Sequence, residues 1–215
     1  HDAGDKVLQE ISSRLKDNIR NVDMACRVGG EEFIVVLPAT ELSIAEKVGE
    51  RVRKAISSKP FQGNNGSNTL NVTVSVGVGP NCLVAKIASD TCKPNGLKVV
   101  PPERVQAFLD PLPVRRLHGV GPATERALVA MGITTVAELR AKPLEALLAR
   151  FRSHGRTLYE YARGIDERPV ETHQERKSLG TENTYREDLA HLEAMDEQLE
   201  AMAEEVGDGL TRREL

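Results

Sequence analysis

Apolar residues recur at helical spacing from the start of the chain. Val7, Leu8, Ile11 and Leu15 share one face of residues 4–18, which predicts an amphipathic helix. A Gly29-Gly30 turn then leads into Phe33-Ile34-Val35-Val36-Leu37, a dense β-branched run that predicts a hairpin with a buried second strand. Residues 43–57 repeat Ile44, Val48, Val52 and Ile56, with Ser43 and Glu46 spaced as a capping box, so a second helix is expected there. Residues 62–68 read as a polar turn, and the alternation of 70–79 (LNVTVSVGVG) reads as a strand. Residues 81–92 predict a helix and Leu97–Val100 a short strand, stopped by Pro101-Pro102. Beyond the prolines come only short helical pieces punctuated by Gly and Pro up to 164. After about 173 there is one strand-like piece, Ser178 to Tyr185, and one charged helix, Leu189 to Val206. A strand and a helix cannot bury a core alone.

Composition narrows the classes. Of the 215 residues, 40% are hydrophobic and 28% charged, as in globular proteins. Aromatics are 3% with no Trp, so a stacking platform for single-stranded nucleic acid is hard to build. No apolar run approaches a membrane span, and His1-Asp2-Ala3-Gly4-Asp5 lacks a signal-peptide layout. Cys26, Cys82 and Cys92 form no C-x-x-C pair, which favours a reducing cytoplasm. Residues 1–80 carry 10 Lys+Arg against 10 Asp+Glu, residues 81–180 carry 16 against 11, and residues 181–215 carry 3 against 11. A polyanion partner would bind the basic middle; a solvated surface of mixed charge accounts for the same distribution.

Candidate chemistry lies within that middle. In Leu112–Thr124, Gly119-Val120-Gly121 precedes a helix start at Pro122, with Arg115 and Arg116 just upstream. Free backbone N–H groups at a positive helix end suit a DNA phosphate. This is the helix-hairpin-helix pattern, which grips duplex backbone without reading sequence. The expected DNA contacts are Arg115, Arg116, Gly119, Val120, Gly121 and Thr124. An ordinary Gly-rich turn is the bland alternative.

Residues 75–215 resemble the latter half of a Y-family lesion-bypass DNA polymerase of the polymerase IV kind. The matching text is Ser75–Asn81, Ala85–Asp90, Lys93–Leu97, His118–Gly121, Ala162–Asp166 and Arg176-Lys177-Ser178. The resemblance implies a palm end at 80–102, a thumb at 103–172, and a linker with a truncated little finger at 173–215. It implies that Lys93 contacts the triphosphate of an incoming nucleotide, and that the whole protein performs DNA-directed nucleotidyl transfer in translesion repair. Cys82 and Cys92 stand where that family usually has Lys and Asn.

Residues 1–79 resemble a GGDEF diguanylate cyclase domain instead, on His1–Asp5, Gly29-Gly30-Glu31-Glu32-Phe33 and Leu70–Val78. That resemblance implies that Glu31 is a Mg²⁺ ligand beside Glu32, with Gly29, Gly30 and Asp5 meeting a guanine nucleotide. It also implies that Arg20 and Asp23, five residues ahead of the GGEEF, form a cyclic di-GMP inhibitory site.

The chain therefore reads as a hybrid joined at Ser75–Gly79. A natural fusion, an engineered crossover and an assembly join all fit that reading. The expected class is α+β: a ferredoxin-like, palm-type antiparallel sheet with helices, then a small all-α helix-hairpin-helix thumb and a partial α+β C-terminal element. Residues 1–100 are expected to form one palm layer, with 29–37 and 70–79 adjacent and antiparallel. Two-metal nucleotidyl transfer needs carboxylates from two strands. The first Asp strand of both families does not precede His1, so Glu31 and Glu32 are expected to be an incomplete, non-catalytic pair unless an upstream segment or second chain completes the palm. Two functions follow: a DNA-binding thumb of a bypass polymerase, and a diguanylate cyclase or cyclic di-GMP-binding protein taking GTP or cyclic di-GMP. Neither involves a membrane.

Overall fold

The computed structural model describes residues 2–62, 69–170, 181 and 190–211. They fall in two compact units, His1–Thr172 and His173–Leu215.

The first unit opens with α1 (Asp2–Lys16), the hairpin β1 (Met24–Gly29) and β2 (Glu32–Val36), and α2 (Leu42–Ser57). β1 and β2 pair antiparallel, with an irregularity between Arg27 and Gly29 that accommodates the Gly-Gly turn. Phe33 and Val35 face one core together with Leu15, Val48, Val52, Ile56 and Phe61. Arg14 locks the two helices: its guanidinium lies 3.9 Å from the Phe61 ring centroid and donates to the carbonyls of Ile56 (2.9 Å) and Lys59 (2.7 Å).

Two local expectations fail in this segment. The N-cap of α2 falls two residues before the expected Ser43, at Glu41, which makes no side-chain cap bond. Ser43 then lies inside the first turn and its box with Glu46 does not form. Ile44, one of the four expected apolar-face residues, is 45% exposed.

Nor is 70–79 one strand. β3 (Phe61–Gln62) pairs with β4 (Thr69–Leu70), while β5 (Val76–Val78) pairs parallel with β6 (Leu97–Val99). Among the described residues the strands thus form three two-stranded sheets, and 29–37 is not hydrogen-bonded to 70–79. The alternation has another cause. Val72 and Val74 turn into the first core, whereas Gly77 and Gly79 let α3 (Cys82–Thr91) lie against β5. A Cβ on Gly77 would stand 1.9 Å from the Ala85 carbonyl oxygen.

The α+β class holds, but the single palm layer does not. A second core runs continuously from Leu83 to Ala162 and joins α3 to the helices after the double proline. These are α4 (Val105–Leu109), α5 (Pro122–Val129), α6 (Val136–Arg140), α7 (Leu144–Phe151) and α8 (Ser153–Tyr161). The cores meet across α2, where Gly49 admits Leu97, Val76 and Val78. In the second unit α9 spans Leu192–Thr211, close to the helix expected there. Apart from Thr181, the strand expected at Ser178–Tyr185 lies outside the described residues, as does most of the turn expected at 62–68.

Candidate nucleic-acid interface

Ahead of α5 the chain makes a tight 3-10 turn at Val114–Arg116. Val114, Leu117 and Val120 are buried beneath it, so the intervening Arg115, Arg116, His118 and Gly119 face outward. This three-residue spacing of apolar anchors holds the turn on Leu128, Ile133 and Val136. Backbone bonds fix it further, from Leu117 N–H to the Val114 carbonyl (3.0 Å) and from Val120 N–H to that of Leu117 (3.1 Å). Gly119 has φ +82°, a left-handed conformation that glycine adopts without strain. Gly121 caps α5 in extended backbone, followed by Pro122 at the first helical position. Glu125 N–H is bonded to the Gly121 carbonyl, which leaves the N–H groups of Ala123 and half-buried Thr124 at the open helix end. A Cβ on Gly121 would meet nothing within 4 Å, so its role is access rather than packing.

The base of this hairpin is pinned by α6. Thr135 and Glu138 form a capping box. Glu138 accepts from the N–H groups of Thr134 (2.7 Å) and Thr135 (2.9 Å), and Val114 N–H donates to the Thr134 carbonyl at 2.9 Å. The backbone N–H groups of Thr134 and Thr135, then the Thr134 hydroxyl, lower Glu138 from 4.5 to about 2. A depressed carboxyl stabilises the fold above its unfolded value, and that contribution is lost as pH falls through the folded one. Thermal midpoints followed from pH about 5 to about 2 should therefore fall further in the parent than in Glu138→Gln.

His154 of α8 was not anticipated. Its ring carbon Cε1 would lie 3.2 Å from a Gly119 Cβ, and its Nε2 is buried without a hydrogen-bond partner among the described residues. A single histidine between Ser153 and Gly155 gave no sequence signal for that place.

The other anticipated residues lie elsewhere. Glu31 and Glu32 are exposed at the hairpin tip, where Arg27 holds the turn by donating to the Gly30 carbonyl at 2.8 Å. Glu32 pairs with Lys86 of α3, which also pairs with Asp90 (3.1 Å), and Lys93 pairs with Asp90 at 2.8 Å. Burial pulls the Lys86 ammonium down, but Glu32 and Asp90 more than offset it and its pKa is raised. Among the described residues no group of three or more His, Cys, Asp or Glu gathers to hold a metal ion. Glu32 is held by Lys86 at this tip, while Glu31 is exposed beside it. Asp5 is exposed on α1. Arg20 and Asp23 close on one another, with Nε and a terminal guanidinium nitrogen at 3.2 and 2.7 Å from Oδ1, and Arg20 also donates to the Thr40 hydroxyl at 2.6 Å. Hydrogen bonding from Arg20 lowers the Asp23 pKa.

A latch joins the two ends of the second core. The Asn81 amide donates to the Gly164 carbonyl at 2.7 Å, and the Asp166 carboxylate accepts from Leu83 N–H at 3.1 Å. Arg168 donates to Asp166 at 2.7 and 3.0 Å and thereby lowers its pKa.

Residues 1–83 match the family described as diguanylate cyclase, GGDEF domain. Residues 102–133 match the IMS family HHH motif, and residues 176–215 the impB/mucB/samB family C-terminal domain. With the α+β fold and the exposed hairpin, these matches define a hybrid of a GGDEF segment and a Y-family polymerase segment. Relatives of the chain include DNA polymerase IV proteins. That of Xanthomonas campestris pv. campestris (strain 8004) is 40% identical over 210 residues, covering 97% of this chain and 54% of the relative. The polymerase likeness therefore reaches into the GGDEF segment. That of Pseudomonas syringae pv. tomato is 47% identical over 148 residues, covering 69% of this chain and 42% of the relative. The chain spans about half the length of the first of these. Among solved structures, DinB from Sulfolobus solfataricus aligns with TM-score 0.64 at 24% identity, over 77% of this chain and 46% of that one. A Dbh ternary complex aligns with the same score and identity over 79% and 48%. No helix among the described residues is long and apolar enough to cross a membrane.

Proposed function

We propose that this chain supplies the duplex-holding portion of a lesion-bypass DNA polymerase, with the turn from Arg115 to Thr124 as its grip on the phosphate backbone. One observation carries the reading: the open N-terminal end of α5, capped by Gly121 and flanked by exposed Arg115 and Arg116, stands on buried aliphatic anchors. A phosphate there would accept from the N–H groups of Ala123 and Thr124 while the arginines neutralise its neighbours. Such contacts position a protein on DNA without selecting sequence. The likeness to DNA polymerase IV supports the same reading. Lys93 remains the proposed contact to a nucleotide triphosphate, reached once it leaves Asp90. We assign the four segments 1–79, 80–102, 103–172 and 173–215 to GGDEF-like part, palm end, thumb and little-finger start. A DNA-holding role fits a cytoplasmic location.

The cyclase or cyclic di-GMP reading is the weaker one, because Glu32 is paired with Lys86 and Asp23 is fully engaged by Arg20. The test is a binding titration of labelled duplex at several salt concentrations, with GTP and cyclic di-GMP titrated alongside. Duplex should bind and weaken steeply with salt. Nucleotide binding without duplex binding would overturn the proposal in favour of the cyclase reading.

A further inference from the structure

On the reading of Lys93 as a triphosphate contact, we propose that Asp90 is a tethered anion that occupies a two-lysine polyphosphate site and sets its affinity, with Lys86 as the second ammonium. Three side chains on α3 and the turn after it make the site. Lys93 Nζ lies 2.8 Å from Asp90 Oδ1. Lys86 Nζ lies 3.1 Å from Oδ2 and 3.3 Å from Oδ1 of the same carboxylate. The two ammoniums are therefore within about 6 Å of one another, and an anionic oxygen is held between them. Glu32 of the hairpin pairs with Lys86 as well and steadies its ammonium. Each ammonium carries three N–H donors, more than one carboxylate takes from the pair. Lys93 and Lys86 are 58% and 40% exposed, so a ligand reaches both from solvent.

Helix stability does not account for a carboxylate at this position. Asp90 is the penultimate residue of α3, where the negative end of the helix dipole opposes a negative side chain. Lys86 stands one turn ahead of Asp90, the less favourable order for a helical ion pair. Burial also opposes the charge on Asp90, yet hydrogen bonds from Lys93 and Lys86 outweigh it and its pKa is lowered. The lysines thus keep the carboxylate ionised, and the carboxylate neutralises them in turn. A tethered group competes at a high effective concentration. A small anion displaces it poorly, whereas the linked phosphates of a nucleoside triphosphate bring several charges at once and replace it.

The test is a calorimetric titration of the full chain with sodium tripolyphosphate at low salt, where exposed charges are least screened. Asp90→Asn should bind tripolyphosphate about 2–5-fold more tightly than the parent, the size of one exposed charge–charge interaction. Glu103→Gln removes an exposed acid elsewhere and should bind as the parent does, which separates a local effect from a change in net charge. Adding Lys86→Ala to Asp90→Asn should erase the gain, and Lys93→Ala should weaken binding in either background. If Lys93→Ala binds like the parent, the triphosphate role of Lys93 falls and the role of Asp90 with it. If Lys93→Ala weakens binding while Asp90→Asn binds no tighter than the parent, the role of Asp90 alone is overturned. A gain that survives Lys86→Ala, or no binding by parent and Asp90→Asn alike, overturns it too.

Discussion

Gly77→Val should abolish a cooperative thermal transition for the unit that contains α3, or lower its stability by about 3 kcal/mol or more. The first added carbon alone would stand 1.9 Å from the Ala85 oxygen, 2.5 Å from Ser89 N and 2.9 Å from the Ala85 carbonyl carbon. All three are backbone atoms, so no side-chain rotation relieves the clash. β5 must separate from α3 or break its parallel pairing with β6. Separation would uncover Leu83, Val84, Ile87 and Ala88, which are at most 2% exposed. Against a typical total of about 5–15 kcal/mol, such a loss is a large share. Gly30→Ala is the control, since a Cβ there meets nothing within 4 Å. Urea unfolding of the two variants and the parent checks this. An unchanged midpoint for Gly77→Val would mean that β5 and α3 are not packed as described.

The second large effect concerns binding. Gly121→Val should weaken duplex binding by about 10–100-fold, the loss expected when one or two hydrogen bonds to a charged group are blocked. Its backbone, at φ −81° and ψ 177°, suits valine, and the side chain would project into the open space at the α5 N-terminus. Stability should fall by only about 1 kcal/mol, the ordinary cost of a poor N-cap. Gly119→Ala is a poorer probe, because it adds left-handed strain and presses on His154. Binding and thermal midpoint measured on the same preparations separate the two effects. Equal affinity of Gly121→Val and parent would remove the helix end from the site.

Much of this was readable in the sequence where the signal is local. Val7, Ile11 and Leu15 declared α1 by their spacing, and Gly29-Gly30 declared the first hairpin. Arg115, Arg116, Gly119 and Gly121 lie within seven residues of one another, so their convergence at one turn needed only local geometry. The alternation at 70–79 misled because period two also arises when half-buried valines alternate with polar residues and then with glycines that admit a helix backbone. Ser43 misled because Glu41 lies two residues earlier and α2 extends to meet it, while Thr135 and Glu138, with the same S/T-x-x-E spacing, do close a box. The Lys86–Glu32 pair and the Asp166 cap on α3 join residues 54 and 83 apart in sequence. Tertiary packing alone brings them together.

The central claim is that the hairpin from Arg115 to Thr124 holds duplex backbone. Duplex affinity measured as a function of salt, for the parent and for Arg115→Ala combined with Arg116→Ala, tests it most directly. The parent should give a straight line of log affinity against log salt, independent of DNA sequence. Loss of the two arginines should make that slope shallower by about 2, at about 0.9 per phosphate no longer neutralised. A parent that binds no duplex, or a double variant with the parent's slope and affinity, would contradict the account.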